Sequence, residues 1–230
     1  MKYPRLNFLR ILASIFLFAG LICNLRAEDK EAAEAKKWKA LFNGKNLDGW
    51  KAADFFKPGK VYVKDGAIVM EPGTKMTGVT YDKKDFPKVN YEVEFEGKRI
   101  NGRDFFGTVT FPVADSFCSF VVGGWGGSVI GLSNIDGVDA SENSTGQAKD
   151  FKDNQWYKIR VLVTNSYLGC WIDNENLVDQ DTTGMKISIR IECNESRPFG
   201  FATYDTTGAV RNIRVRPLTE AEVKAAKPKK

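Results

Sequence analysis

The sequence has no histidine anywhere in its 230 residues. That absence removes the Ser-His and Cys-His nucleophile pairs and the usual imidazole metal ligands together. Cysteine is scarce, with four residues. Apart from Cys23 near the start, Cys118, Cys170 and Cys193 remain, an odd set that leaves at least one thiol free. Each sits in an apolar, strand-like run and reads as a small buried hydrophobe before it reads as part of a disulfide framework. Long apolar runs are missing too: the stretch from Ile11 to Ile22 is shorter than the roughly 20 residues a bilayer span needs. A strong excess of one charge is also absent. The formal net charge is +5, but residues 1–27 hold Lys2, Arg5, Arg10 and Arg26 and no acid, so the remainder carries 5 − 4 = +1. Nucleic-acid binding thereby loses its main support.

What is present begins with an export pattern. A basic start, the apolar run and the polar Asn24-Leu25-Arg26-Ala27 read as a secretory signal peptide over residues 1–27, cleaved after Ala27 although Leu25 stands where a smaller residue is usual. Gly20-Leu21-Ile22 before Cys23 is a poor lipobox. The expected product is exported to the periplasm or the exterior, with no membrane span. Residues 28–40 read as a charged, partly helical leader, residues 41–218 as one domain, and residues 219–230 as a frayed basic tail rich in lysine. The sequons at Asn143 and Asn194 carry information only in a glycosylating host.

From Leu41 onward the pattern is all-β. Val61–Val63 and Ala67–Met70 flank Lys64-Asp65-Gly66, a hairpin signal. Tyr91, Val93 and Phe95 alternate with Glu92, Glu94 and Glu96, so one face of that strand meets the core and the other meets water or a groove. Phe105–Phe111, Phe117–Val122 and Ser128–Leu132 are continuous apolar runs, which predicts strands covered on both faces. Tyr157, Ile159, Val161 and Val163, then Leu168, Cys170 and Ile172, return to a period of two. Strands at this spacing, with no lasting helical period, predict two packed antiparallel sheets of the jelly-roll kind. Trp50 and Trp156 are expected in the core, and Trp171 facing away from Cys170 and Ile172.

Two stretches carry a family resemblance. Leu41-Phe42-Asn43-Gly44-Lys45-Asn46-Leu47-Asp48-Gly49-Trp50 and Arg211-Asn212-Ile213-Arg214-Val215 together resemble the 3-keto-disaccharide hydrolase family. The resemblance implies a concanavalin A-like or laminin-G-like jelly roll and exported bacterial proteins acting on keto-glycosides or related sugars. The centre departs from the commoner family pattern of an Asn-Ser-Gly segment and a histidine-glycine pair. The corresponding stretches read Asn101-Gly102-Arg103-Asp104 and Thr203-Tyr204-Asp205-Thr206. The segments Asp104-Phe105-Phe106, Gly123-Gly124-Trp125-Gly126-Gly127 and Ile135–Asn143 are similar instead to a laminin-G-like subgroup.

Candidate site residues follow from polar clusters beside strands. Asp104 and Glu192 are the candidate catalytic carboxyls, since a glycosidase needs two of them. Arg103 offers a fork to sugar hydroxyls or a carboxylate, with an ordinary surface ion pair as the alternative. Trp125, framed by four glycines, either stacks on a sugar or folds back onto the core. Arg190 and Glu192, on one face of an extended Ile187–Glu192, either line the same groove with Tyr204 or pair across strands. Trp171 is a secondary stacking candidate. Asp136, Asp139 and Glu142 offer oxygens to Ca²⁺, or else hold a solvated loop through Asx-turns. No other cofactor is required. Three functions stay open: a carbohydrate-active enzyme, a module binding a carbohydrate or glycoconjugate, and an envelope scaffold.

Overall fold

The structure, a computed structural model, describes residues 37–228. The expected signal peptide and most of the leader lie outside the described residues, as do Lys229 and Lys230. The first strands are β1 (Lys39–Ala40), β2 (Trp50–Ala52), β3 (Val61–Lys64), β4 (Ala67–Met70) and β5 (Met76–Tyr81). Then come β6 (Tyr91–Gly102), β7 (Thr108–Val113), β8 (Ser116–Gly124), β9 (Val129–Ser133) and β10 (Gln147–Ala148). The last are β11 (Tyr157–Val163), β12 (Tyr167–Ile172), β13 (Glu175–Asp181), β14 (Gly200–Tyr204) and β15 (Thr206–Pro217). A 3₁₀ turn at Ile191–Ser196 and helix α1 (Glu220–Ala225) complete the described chain.

These strands form two antiparallel sheets. The back sheet has eight strands in the order β13-β12-β11-β6-β15-β4-β3, with β1 also paired to β15. The front sheet has seven, in the order β10-β9-β8-β7-β14-β5-β2. The all-β jelly-roll expectation is therefore met. The hairpin signal is met as well: Asp65 at φ 50° and Gly66 at φ 76° join β3 to β4, the conformation a two-residue loop needs to follow the strand twist.

Alternation decides which face each strand buries. Tyr91, Val93 and Phe95 of β6 and Ile159, Val161 and Val163 of β11 point inward and are buried. They meet Val109, Phe111, Phe120, Val122 and Phe201 of the front sheet in one cluster. Phe95 and Phe201 touch edge to face across the sheets with ring centres 4.7 Å apart. Each such side chain contributes about 1.5–3 kcal/mol by leaving water. Trp50 joins this core as expected, its Nε1–H donating to the Leu41 carbonyl at 2.9 Å.

The opposite face of the back sheet is charged. Glu92 accepts from Arg160 and Arg216, Glu94 from Arg214, and Glu96 from Arg211. Trp156 belongs to this outer face and not to the core, because Tyr157 takes the inward position next to it. Its ring lies between Lys98 at 4.5 Å and Arg211 at 4.0 Å. Trp171 is also here, covered by the Arg160 guanidinium at 3.8 Å. A stacked cation therefore occupies one face of its ring.

Both ends of the domain are firmer than the sequence suggests. Pairing starts at Lys39, with Trp38 beneath Arg214 at 4.5 Å, so part of the expected leader is strand. The expected frayed tail contains α1, whose capping box joins the Thr219 hydroxyl to the Glu222 N–H and the Glu222 carboxylate to the Thr219 N–H. Glu222 is further held by Arg216 at 2.9 Å.

A candidate sugar-binding cleft

The front sheet carries a second, outward face that is polar at its centre. Thr108 and Thr110 alternate with Val109 and Phe111 along β7, and Ser119 and Ser133 take the same side of β8 and β9. All four are at most 1% exposed. They are covered because the segment leading into the 3₁₀ turn crosses over them. Ser116 Oγ donates to the Ile187 carbonyl at 2.7 Å, Ser188 N donates to the Asn134 carbonyl at 3.1 Å, and Thr80 Oγ1 donates to the Glu195 carbonyl at 2.7 Å.

A cleft of about 740 Å³ opens above this floor, a size suited to a small-molecule ligand. Thr108, Ser119 and Ser133 form its base. Asp104, Trp125, Arg190, Glu192 and Tyr204, five residues singled out from the sequence, all line it. Chain segments far apart in sequence thus converge. Arg103 does not join them: its side chain is exposed and lies outside the lining.

Arg190 organises the polar side of the cleft. Its Nη2 donates to Glu192 Oε1 at 2.9 Å and its Nε to Glu192 Oε2 at 3.3 Å. Its Nη1 donates to Asp139, and its guanidinium stands 5.8 Å from the centre of the Trp125 ring. The hydrogen bond from Arg190 holds the Glu192 carboxyl below its ordinary range, and Glu192 in turn raises the Arg190 guanidinium. The segment Ile187–Glu192 is not the regular strand expected. It makes one bridge, Ile135 to Ile187, and then turns over the sheet face, so Arg190 and Glu192 meet through local chain reversal.

Asp104 is committed to backbone. Oδ1 accepts from Phe105 N at 2.8 Å and Oδ2 accepts from Gly126 N at 3.0 Å. The second bond ties the turn after β6 to the glycine-framed loop. In that loop Trp125 sits at φ 48° and is 44% exposed, so the indole is displayed and not folded into the core. A Cβ on Gly127 would come within 3.0 Å of the Arg103 carbonyl, so only glycine permits this approach.

The three oxygen donors expected for Ca²⁺ do not form a cage. Asp136 Oδ1 accepts from Lys186 N at 2.7 Å, and Asp139 accepts from Ser141 N at 2.9 Å as well as from Arg190. Glu142 is exposed. Burial works against the Asp139 charge, but the Ser141 and Arg190 contacts outweigh it and leave its carboxyl below the ordinary range. Among the described residues no group of three or more His, Cys, Asp or Glu is placed to hold a metal. The loop is held by Asx-type bonds and the Arg190 ion pair.

Sequence reading missed Phe55, Phe56, Lys75, Met76 and Cys193, which also line the cleft. Phe55, Met76 and Cys193 belong to a small apolar cluster with Ala53 and Ala202, separate from the inter-sheet core. Hydroxyls alternating within apolar runs, as in Thr108-Val109-Thr110-Phe111, were the available signal for the floor.

Cys118, Cys170 and Cys193 are free and buried. Burial pushes the Cys118 thiol up to about 12 and the Cys193 thiol up to about 11. Neither is poised as a nucleophile.

Residues 37–216 match the family described as the 3-keto-alpha-glucoside-1,2-lyase-like domain. The chain belongs to this family. A comparison with curated protein sequences finds no match. Among solved structures, one similar fold is a Parabacteroides distasonis protein provisionally described as a glycosyl hydrolase. It is 16% identical with a TM-score of 0.53, over 82% of this chain and 96% of that one. Another is the Crh5 transglycosylase in its apo form, 12% identical with a TM-score of 0.55, over 79% of this chain and 83% of that one. At these identities the likeness is one of fold. No helix among the described residues is long and apolar enough to cross a membrane.

Proposed function

We propose that the cleft on the front sheet recognises a carbohydrate, with Trp125 as the stacking surface and the polar groups around Arg190 as hydrogen-bonding partners. The carrying observation is the displayed indole of Trp125 over a cleft that gathers Arg190, Glu192 and Tyr204. Family membership and the neighbouring folds, one described as a glycosyl hydrolase and one as a transglycosylase, support a saccharide as the ligand class. The carboxylates support binding over hydrolysis. A glycosidase needs one carboxyl protonated to act on the leaving oxygen, whereas Arg190 holds Glu192 ionised and Asp104 already accepts two backbone N–H groups. Titration of a panel of disaccharides and their 3-keto forms, followed by tryptophan fluorescence, tests the reading. Saturable binding lost in Trp125→Ala supports it, and no response to any sugar rejects it.

A second reading has its own observation. The family description names a 1,2-lyase, and elimination from a 3-keto-glucoside needs a base more than an acid. The C2 proton, acidified by the neighbouring ketone, goes to the base; the C1–O bond breaks, and the leaving oxygen takes a proton from water. Glu192, kept ionised by Arg190, is in the charge state such a base requires. Appearance of a conjugated unsaturated ketone by ultraviolet absorbance, abolished in Glu192→Gln, would establish turnover. Binding without that chromophore would exclude it.

A further inference from the structure

The loop between β5 and β6 carries four charges in succession, Asp82-Lys83-Lys84-Asp85, which would neutralise one another if they paired locally. They do not. Asp82 pairs with Lys51 at 2.9 Å, while Asp85 pairs with Lys39 and accepts from the Tyr81 hydroxyl at 3.2 Å. Among the described residues no carboxylate pairs with Lys83 or Lys84.

Both lysines line a hollow of about 290 Å³, and Lys88 lines it with them. Lys88 has one acid near it, Asp115 at 4.0 Å, whose side chain is fully exposed. Three lysines against that acid leave 3 − 1 = +2 at the hollow. The whole chain beyond residue 27 carries only +1, so this is a local concentration of charge and not a share of a general excess. A hollow lined by one sign of charge draws in ions of the other.

The hollow is separate from the cleft. Met76 at the start of β5, Thr108 at the start of β7 and Tyr204 at the end of β14 line the cleft. Lys83 beyond the end of β5, Pro112 near the end of β7 and Pro198 before β14 line the hollow. These three strands are neighbours in the front sheet, so the two sites lie at opposite ends of them.

The wall between the lysines is apolar. It is made by Phe86, whose ring stacks on Phe199 with centres 4.1 Å apart, by Phe117 and by the two prolines. A free inorganic ion would meet the ammonium groups and leave this wall wet. An oxyanion carried on a sugar ring would use both, the ring's C–H face against the phenyl groups and the charge among the lysines. The geometry points to a second binding site, for an anionic saccharide, with its sulfate or carboxylate among Lys83, Lys84 and Lys88 and its ring against Phe86 and Phe117. This site does not depend on what the cleft binds.

Calorimetry on the full-length protein tests it with four probes: a heparin-derived tetrasaccharide, its fully desulfated and N-acetylated form, neutral maltotetraose, and sodium sulfate. At least one charged tetrasaccharide is expected to bind well above the neutral one and above sulfate alone, and the tighter of the two identifies sulfate or carboxylate as the recognised group. Binding should weaken as salt rises from about 50 to about 200 mM, because exposed charges are screened. The double variant Lys83→Gln/Lys84→Gln should weaken it roughly threefold or more, with an unchanged thermal midpoint. The control Lys60→Gln/Lys64→Gln, at the edge of the back sheet, should not. Equal loss in the control would reduce the effect to net charge and overturn the site. Inorganic sulfate binding as tightly as the tetrasaccharides would overturn the saccharide, and so would maltotetraose doing so or no binding by any probe. Loss of tetrasaccharide binding in Trp125→Ala, with the lysine variant unaffected, would place the ligand in the cleft and also overturn the proposal.

Discussion

The carboxylate of Asp104 and the backbone N–H of Gly126 are joined by a hydrogen bond of 3.0 Å that bridges two loops at the cleft. Through it, the turn that closes β6 sets the position of the exposed Trp125. Asp104→Ala removes this bond and the one to Phe105 N. Hydrogen bonds to charged groups contribute about 1.5–3 kcal/mol each, less at exposed sites. The variant should lose on the order of 2 kcal/mol in urea unfolding and show a red-shifted tryptophan emission. An unchanged spectrum would mean that Asp104 does not position the loop.

Glu92 offers a harsher test of the back sheet. Its side chain is 3% exposed and is paired with Arg160 and Arg216, the latter 13% exposed. Removing one partner of a buried ion pair typically costs about 3–5 kcal/mol, because the other charge is left without compensation. Glu92→Ala is expected to fall in that range by chemical denaturation. A loss no larger than that of an exposed ion pair would show that water reaches these arginines freely.

Acid should weaken the carboxyl end of the domain in a defined window. Hydrogen bonding from Arg216, followed by the Thr219 contacts, holds the Glu222 carboxyl down to about 2 against an ordinary 4.5. A lowered folded-state value stabilises above the unfolded value and is lost as pH falls. The contribution of Glu222 should therefore be complete above about pH 5 and disappear towards pH 2. Thermal melts of Glu222→Gln against wild type should differ at neutral pH and converge at low pH. A constant difference would contradict the assignment.

The thiols predict a clean negative. Cys118, Cys170 and Cys193 are buried, and desolvation raises all three. Peptide mapping after iodoacetamide at pH 8 should find these positions unmodified in the native protein and fully modified in urea. Modification of Cys193 alone in the native state would reveal opening of the 3₁₀ turn above the front sheet.

How much of this was legible in the sequence depends on where the deciding partner lies. Glu92, Glu94 and Glu96 alternating with Tyr91, Val93 and Phe95 fixed a face, and the sheet follows it. Asp65-Gly66 specified a turn by itself. Trp156 was misplaced because its neighbour Tyr157 was the inward residue, and one position in a strand reverses the face. Ile187, Ile189 and Ile191 show the two-residue period of a strand, yet Ile187 packs on the main core, Ile189 on the small cluster with Phe55 and Met76, and Ile191 is exposed. Period alone does not distinguish lying beside a strand from lying across several. Asp104, Trp125, Arg190, Glu192 and Tyr204 do meet, and the Asx-type bond from Ser141 to Asp139 is local, but Gly126 N on Asp104 and Arg190 on Asp139 come from distant segments. No local spacing could have revealed those two long-range bonds.

The Asp65-Gly66 hairpin belongs to the back sheet, where β3 is the terminal strand beyond β4. A Cβ on Gly66 would meet nothing within 4 Å. An epitope or fluorophore grafted at that tip would hang from the sheet opposite the cleft, so immobilising the protein there would present the front sheet to ligand on every molecule.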